Sequence, residues 1–206
     1  MGAKARLLGS VAAAVAVVAA TLVVVLSVRG GEDKAASYRG SLVPPGIVLG
    51  QFELRDYTGA RVSRDDLEGK VVLLTFLESR CEEACPIIAS QVARTIERLT
   101  PEERTQVVAI AISTHPTDDT PANVRAFLRA QRAEGKLHYL VGSEQELRPV
   151  WRRFGVLSAL DSGDADTHSA SVHVYDRSGE WVASLHPGID LTPANLVHDV
   201  GVALQN

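Results

Sequence analysis

Cysteine is nearly absent: the 206 residues hold two, Cys81 and Cys85. A scaffold stapled by disulfides carries more, spread more widely. Two thiols four positions apart read as a working pair. Clusters of Lys and Arg interleaved with aromatics are also missing, and the net charge is -4. Among residues 1–28 the charges are Lys4 and Arg6, so the remainder is more acidic still. Phosphate binding needs a basic face, which excludes nucleic acid as a partner class. No long heptad pattern marks an oligomer. What is present, 46% hydrophobic and 22% charged residues, is the composition of an ordinary globular domain. The length allows one domain and a short appendage.

Residues 7–28, LLGSVAAAVAVVAATLVVVLSV, contain no charge. As a helix they would cross roughly 30 Å of hydrocarbon. A secretion signal usually has a shorter apolar region, so an uncleaved transmembrane anchor is expected, with a cleaved signal as the alternative. Residues 1–6 form a basic leader, which the positive-inside rule keeps in the cytoplasm. The rest then lies on the extracytoplasmic side of a bacterial cell membrane, held by a single span. No cysteine lies near the run, which excludes a lipoprotein type of anchor. Residues 29–45 read as a linker and 46–206 as the folded domain.

Within that domain, Gln51 to Asp56 alternates as a half-buried strand does, and Ser63 caps a short turn ending at Gly69. Lys70 to Leu77 and Gln106 to Ser113 are apolar runs suited to strands covered on both faces. Between them, Ile87, Ile88, Val92, Ile96 and Leu99 recur at helical spacing. Thr120-Pro121 opens a helix to about Ala133, and Leu137 to Val141 is a short strand. Ser143 and Glu146 form a capping box for a helix that stops at Gly155. Ser169 to Tyr175 and Glu180 to Leu185 make a hairpin around Asp176–Gly179, and Thr192-Pro193 opens a last helix. A parallel βαβ half followed by a ββα half is the thioredoxin-like arrangement: an α/β fold with a central mixed sheet flanked by helices. Its insertion is one helix and one strand.

The thiols lie in Glu78-Ser79-Arg80-Cys81-Glu82-Glu83-Ala84-Cys85-Pro86, just past a central strand's carboxyl end. That is where open α/β sheets bind ligands. Pro86 fits a helix's first turn, with Cys85 at the cap and Cys81 in the loop before it. Both thiols then face the positive helix end, which favours thiolate, while Glu78, Glu82 and Glu83 oppose it. Three readings stand. Two core cysteines sit poorly in so polar a loop. A redox dithiol that cycles through a Cys81–Cys85 disulfide usually has two intervening residues, not three. A soft cation such as Cu(I) suits two thiolates that stand apart.

Asp166-Thr167-His168-Ser169 precedes the strand that opens the ββα half, where redox thioredoxins carry a cis-proline beside the cysteine loop. There is no proline between Pro149 and Pro187. His168 stands there instead, and imidazole suits copper. Of the other histidines, His138 and His173 fall inside strands, His198 on the last helix and His186 in a distal loop. His115, after the second buried strand at the same sheet edge, is the rival to His168.

These residues resemble the Sco (SenC) family of membrane-anchored, thioredoxin-fold copper proteins. Tyr38-Arg39-Gly40-Ser41 resembles the start of the family domain, Gly69 to Phe76 its central strand, and Cys81-x-x-x-Cys85-Pro86 its signature. Asp119-Thr120-Pro121 resembles a later motif. The resemblance implies that Cys81, Cys85 and His168 are copper ligands. It also implies delivery of copper to the binuclear copper site of cytochrome c oxidase, or reduction of that site's thiols. The implied partners are the oxidase's copper-site subunit, a copper donor and a thioredoxin-like reductant. Glu78-Ser79, Glu82-Glu83 and His115 depart from the family's usual residues. The main reading is thus a metallochaperone rather than an enzyme. The alternative is an extracytoplasmic thiol–disulfide oxidoreductase without metal. A peroxidase of the peroxiredoxin type needs Thr or Ser three residues before its cysteine, where this chain has Glu78 and Glu82.

Overall fold

The computed structural model describes residues 38–156 and 170–206. The proposed anchor, residues 7–28, and His168 lie outside the described residues. Among the described residues no helix is long and apolar enough to cross a membrane. The described fold is that of the compact unit Tyr38–Asn206.

Eight strands form one mixed sheet: β1 (Ser41–Leu42), β2 (Glu53–Asp56), β3 (Arg61–Ser63), β4 (Val71–Leu77), β5 (Val107–Ser113), β6 (His138–Val141), β7 (Val172–Tyr175) and β8 (Trp181–Leu185). Their order is β1-β8-β7-β4-β5-β6-β2-β3. β4 and β5 run parallel at the centre, from Val71 opposite Val107 to Leu77 opposite Ser113. All seven residues of β4 are buried. Val71, Leu73 and Leu77 enter one core; Val72, Leu74 and Phe76 enter the other. Period two is therefore present, but both faces are apolar, so the sequence shows an unbroken run. Burying each such side chain stabilises by about 1.5–3 kcal/mol.

The helices are α1 (Ala84–Arg98), the single turn α2 (Pro101–Arg104), α3 (Pro121–Ala130), α4 (Glu144–Phe154) and α5 (Pro193–Ala203). α1, α3 and α5 supply the first core through Ile88, Val92, Leu128 and Leu196. α4 fills the second with Leu147, Val150 and Trp151. The expected caps hold: the Thr120, Ser143 and Thr192 side chains accept the N–H groups of Asn123, Glu146 and Asn195. Gly155 ends α4 in the left-handed conformation that suits glycine. The turn after Ser63 is a 3-10 helix over Arg64–Leu67.

Both sheet edges are closed by residues from before β4. The β2–β3 hairpin adds to β6, and β1 adds to β8. β1 falls in the stretch read as polar lead-in. Asp199 on α5, fully buried, holds it there: its carboxylate accepts the N–H of Arg39 at 2.8 Å and of Gly40 at 2.9 Å.

Candidate metal centre

β4 delivers the chain to the sheet's carboxyl edge at Leu77. Glu78 to Glu83 then loop over to α1. The helix begins at Ala84, so Cys85 is its second residue and Pro86 its third, slightly deeper than the cap position expected for Cys85. Proline is tolerated there because first-turn N–H groups have no acceptor within the helix. The cap residue, Glu83, makes no side-chain cap bond. A sulfur serves in its place: the Cys85 N–H points at Cys81 Sγ, 3.5 Å away. The positive end of α1 thus faces the Cys81 sulfur, which favours negative charge on it.

The two thiols differ. Cys85 is buried and Cys81 is half-buried, and no disulfide joins them. The hydrogen bond to Cys81, and then burial, push the Cys85 thiol far up from its ordinary range. The pair therefore holds on to a proton at Cys85. Beside Cys81 a shallow open depression is lined by Arg80, Pro86, Phe127 and Gln131, so Cys81 is the sulfur a partner can reach.

A buried polar frame fixes the loop. The Asp119 carboxylate accepts the Ser79 N–H at 2.7 Å on Oδ1 and the Ser113 hydroxyl at 2.6 Å on Oδ2. The Tyr139 hydroxyl lies 2.9 Å from both Asp119 Oδ2 and the Leu77 carbonyl. Trp151 Nε1–H donates to the Ser113 carbonyl at 2.8 Å. This frame ties the ends of β4, β5 and β6 to the thiol loop. In the sequence Asp119 stands in an Asp-Thr-Pro motif, and nothing there marks Tyr139 or Ser113. An Asp before a Thr-Pro cap carries no sign that it points inward.

Of the ligands expected from the sequence, Cys81 and Cys85 come together, while His168 lies outside the described residues. The rival, His115, sits at the end of β5 with Glu78 and Asp118. One donor atom from each of the three lies within 4.8 Å of the others. His138 and His173 are in β6 and β7 as expected. His173 is buried, stacked on Trp181 with ring centroids 4.3 Å apart.

The SCO1/SenC family model matches residues 43–204, from just after β1 to the end of α5. The chain belongs to the SCO1/SenC family. The SCO2-like protein of Rickettsia felis is 25% identical over 182 residues, covering 85% of this chain and 86% of that one. The copper-bound structure of Bradyrhizobium japonicum ScoI is 28% identical with a TM-score of 0.61, covering 75% of this chain and 98% of that one. Copper-bound ScoI of Arabidopsis thaliana is 25% identical with a TM-score of 0.63, over 78% and 100% of the respective chains. The mixed sheet with flanking helices matches the thioredoxin-like fold of these proteins, as the sequence led us to expect.

Proposed function

We propose that this SCO1/SenC protein is a copper metallochaperone in which Cys81, Cys85 and His168 hold the ion. The observation that carries the reading is the convergence of two sulfurs on the first turn of α1, with the Cys85 N–H 3.5 Å from Cys81 Sγ. Thiolate pairs of this kind suit Cu(I), which accepts few ligands, and an imidazole completes a trigonal set. The copper-bound Sco relatives support the choice of metal. Copper is cargo here. The half-buried Cys81 gives a recipient thiol a point of entry, while Cys85 holds its proton when the site is empty. The proposed client is the copper-site subunit of cytochrome c oxidase, reached by a domain that residues 7–28 tether outside the cytoplasm. A copper donor and a thioredoxin-like reductant would act upstream.

The test is a Cu(I) titration of the reduced full chain in detergent under a competing chelator. One equivalent should bind tightly, and Cys81→Ser and His168→Ala should each weaken binding by about a hundredfold or more while the melting temperature holds. Wild-type affinity in His168→Ala would remove that residue from the site.

A second reading rests on the inequality of the thiols. One reachable sulfur backed by a buried, proton-holding one also suits attack on a disulfide and resolution of the mixed disulfide. Turnover of a disulfide substrate at an undiminished rate in His168→Ala would favour it.

A further inference from the structure

We propose that Glu78, His115 and Asp118 form a second metal site, for a divalent transition-metal ion, separate from the thiol pair. The three come from two segments. Glu78 follows β4, while His115 and Asp118 sit in the loop after β5, so the parallel pairing of Leu77 with Ser113 puts them at one edge. One donor atom from each lies within 4.8 Å of the other two, and all three residues are half-buried.

The surroundings separate these groups from their neighbours. Asp119 has both carboxylate oxygens engaged by Ser79, Ser113 and Tyr139, so it is not available as a ligand. Glu78 is different. No hydrogen bond or ion pair reaches its carboxylate among the described residues, although burial holds its pKa above the ordinary carboxylate value. A half-buried carboxylate without a donor either takes up a proton or is stabilised by a nearby cation. Asp118 faces His115 through Oδ2, 3.6 Å from Nδ1, and has the exposed Arg80 guanidinium 3.8 Å from Oδ1. The Asp118 N–H also lies 3.3 Å from Nδ1, so the ring is held against this loop by its Nδ1 edge.

The donor chemistry selects the ion. Two carboxylates and an imidazole are harder than the thiolates nearby and carry a charge that matches a dication. Among first-row dications such a set binds Cu²⁺ most tightly, with Zn²⁺ below it. Ca²⁺ and Mg²⁺ prefer all-oxygen sets with more ligands. One edge of the sheet thus offers sulfur to a soft monovalent ion and nitrogen and oxygen to a divalent one.

The experiment uses the full chain in detergent with Cys81→Ser, Cys85→Ser and His168→Ala combined, so it does not depend on the thiol site. Cu²⁺ and Zn²⁺ are titrated against a weak competing buffer, and the Cu²⁺ form is examined by electron paramagnetic resonance. We expect one Cu²⁺ per chain, with an axial spectrum coupled to a single nitrogen, and weaker Zn²⁺ binding. Adding His115→Ala should remove the nitrogen coupling and lower affinity by about a hundredfold, and Glu78→Gln or Asp118→Asn by about tenfold. Circular dichroism checks that each variant is folded, and the two isosteric changes stand in should His115→Ala fail that check. Absence of a one-to-one Cu²⁺ complex would overturn the proposal. So would a complex whose affinity and nitrogen coupling are indifferent to all three added changes.

Discussion

The Asp119 carboxylate accepts the backbone N–H of Ser79 at 2.7 Å, joining the loop after β5 to the loop that carries Cys81. The same carboxylate is the acceptor for Ser113 and lies 2.9 Å from the Tyr139 hydroxyl, and it is 3% exposed. Asp119→Ala leaves buried donors without an acceptor and should cost about 2–4 kcal/mol in urea unfolding. Asp119→Asn keeps an oxygen for Ser79, and the Tyr139 hydroxyl keeps the Leu77 carbonyl as acceptor, so about 1 kcal/mol is expected. Copper affinity should fall with Asp119→Ala even where the protein is fully folded, because the Cys81 loop loses its tether. Equal effects of the two changes would argue against the tether.

His173 makes stability depend on acid. Burial, and to a smaller extent the charge of His186, lowers its pKa from 6.5 to about 4. Its Nε2 pairs with the Ser171 hydroxyl at 2.7 Å, while Nδ1 has no partner among the described residues. Stacking on Trp181 would favour a cation, but loss of water outweighs it. Between pH 6.5 and 4 the unfolded chain binds a proton that the folded chain refuses. Stability is therefore complete above about pH 6.5 and is lost as pH falls to about 4, by about 3 kcal/mol in all. Urea midpoints of wild type and His173→Phe across this range should diverge by a slope that the variant lacks.

Gly40 is a steric requirement. A Cβ there would lie 2.8 Å from the Ser184 carbonyl oxygen and 3.0 Å from Leu185 Cδ1. Backbone cannot yield as a flexible side chain can, so β1 would be pushed off β8. Gly40→Ala should destabilise by about 1–3 kcal/mol, and hydrogen exchange should rise at Ser41, Leu42 and their partners Ala183 and Ser184. Unchanged exchange at these four amides would mean that the edge absorbs the methyl group.

The parts legible in the sequence are those whose signal is local. β4 and β5 announce themselves as unbroken apolar runs, and Thr120, Ser143 and Thr192 mark helix starts because capping is a short-range bond. Thr100-Pro101-Glu102-Glu103 also carries a capping box, and it opens the one-turn helix α2, beyond the apolar repeat that ends at Leu99. β1 and β3 leave no such mark: each has two or three residues, none of them buried; β1 exists because the distant β8 offers its edge, and β3 because the chain folds back on β2. The helix start at Ala84 was hidden for a related reason, since its cap is the sulfur of Cys81. The inward turn of Asp119 depends on Ser79, Ser113 and Tyr139, which only the fold assembles. Of the thiol site, the cysteine pair and its place were readable, while their inequality follows from packing.

That inequality has a direct chemical consequence. Cys81 is half-buried, bears the N–H of Cys85 on its sulfur and borders an open depression, whereas Cys85 is 8% exposed and has its pKa driven up. Alkylation needs thiolate and access, and both favour Cys81. Limiting iodoacetamide at pH 7.5 should label Cys81 at least about tenfold faster than Cys85, read by peptide mass spectrometry. In Cys81→Ser the hydroxyl is a poorer acceptor, which relieves the leading cause of the Cys85 shift, but burial stays. Cys85 should therefore react somewhat faster than in the wild type and still slower than Cys81 does. Saturating the reduced protein with Cu(I) should protect both sulfurs together if they share one ion. Protection of Cys81 alone would mean that the metal sits on a single sulfur, and the pair would then be better read as a redox couple than as two ligands.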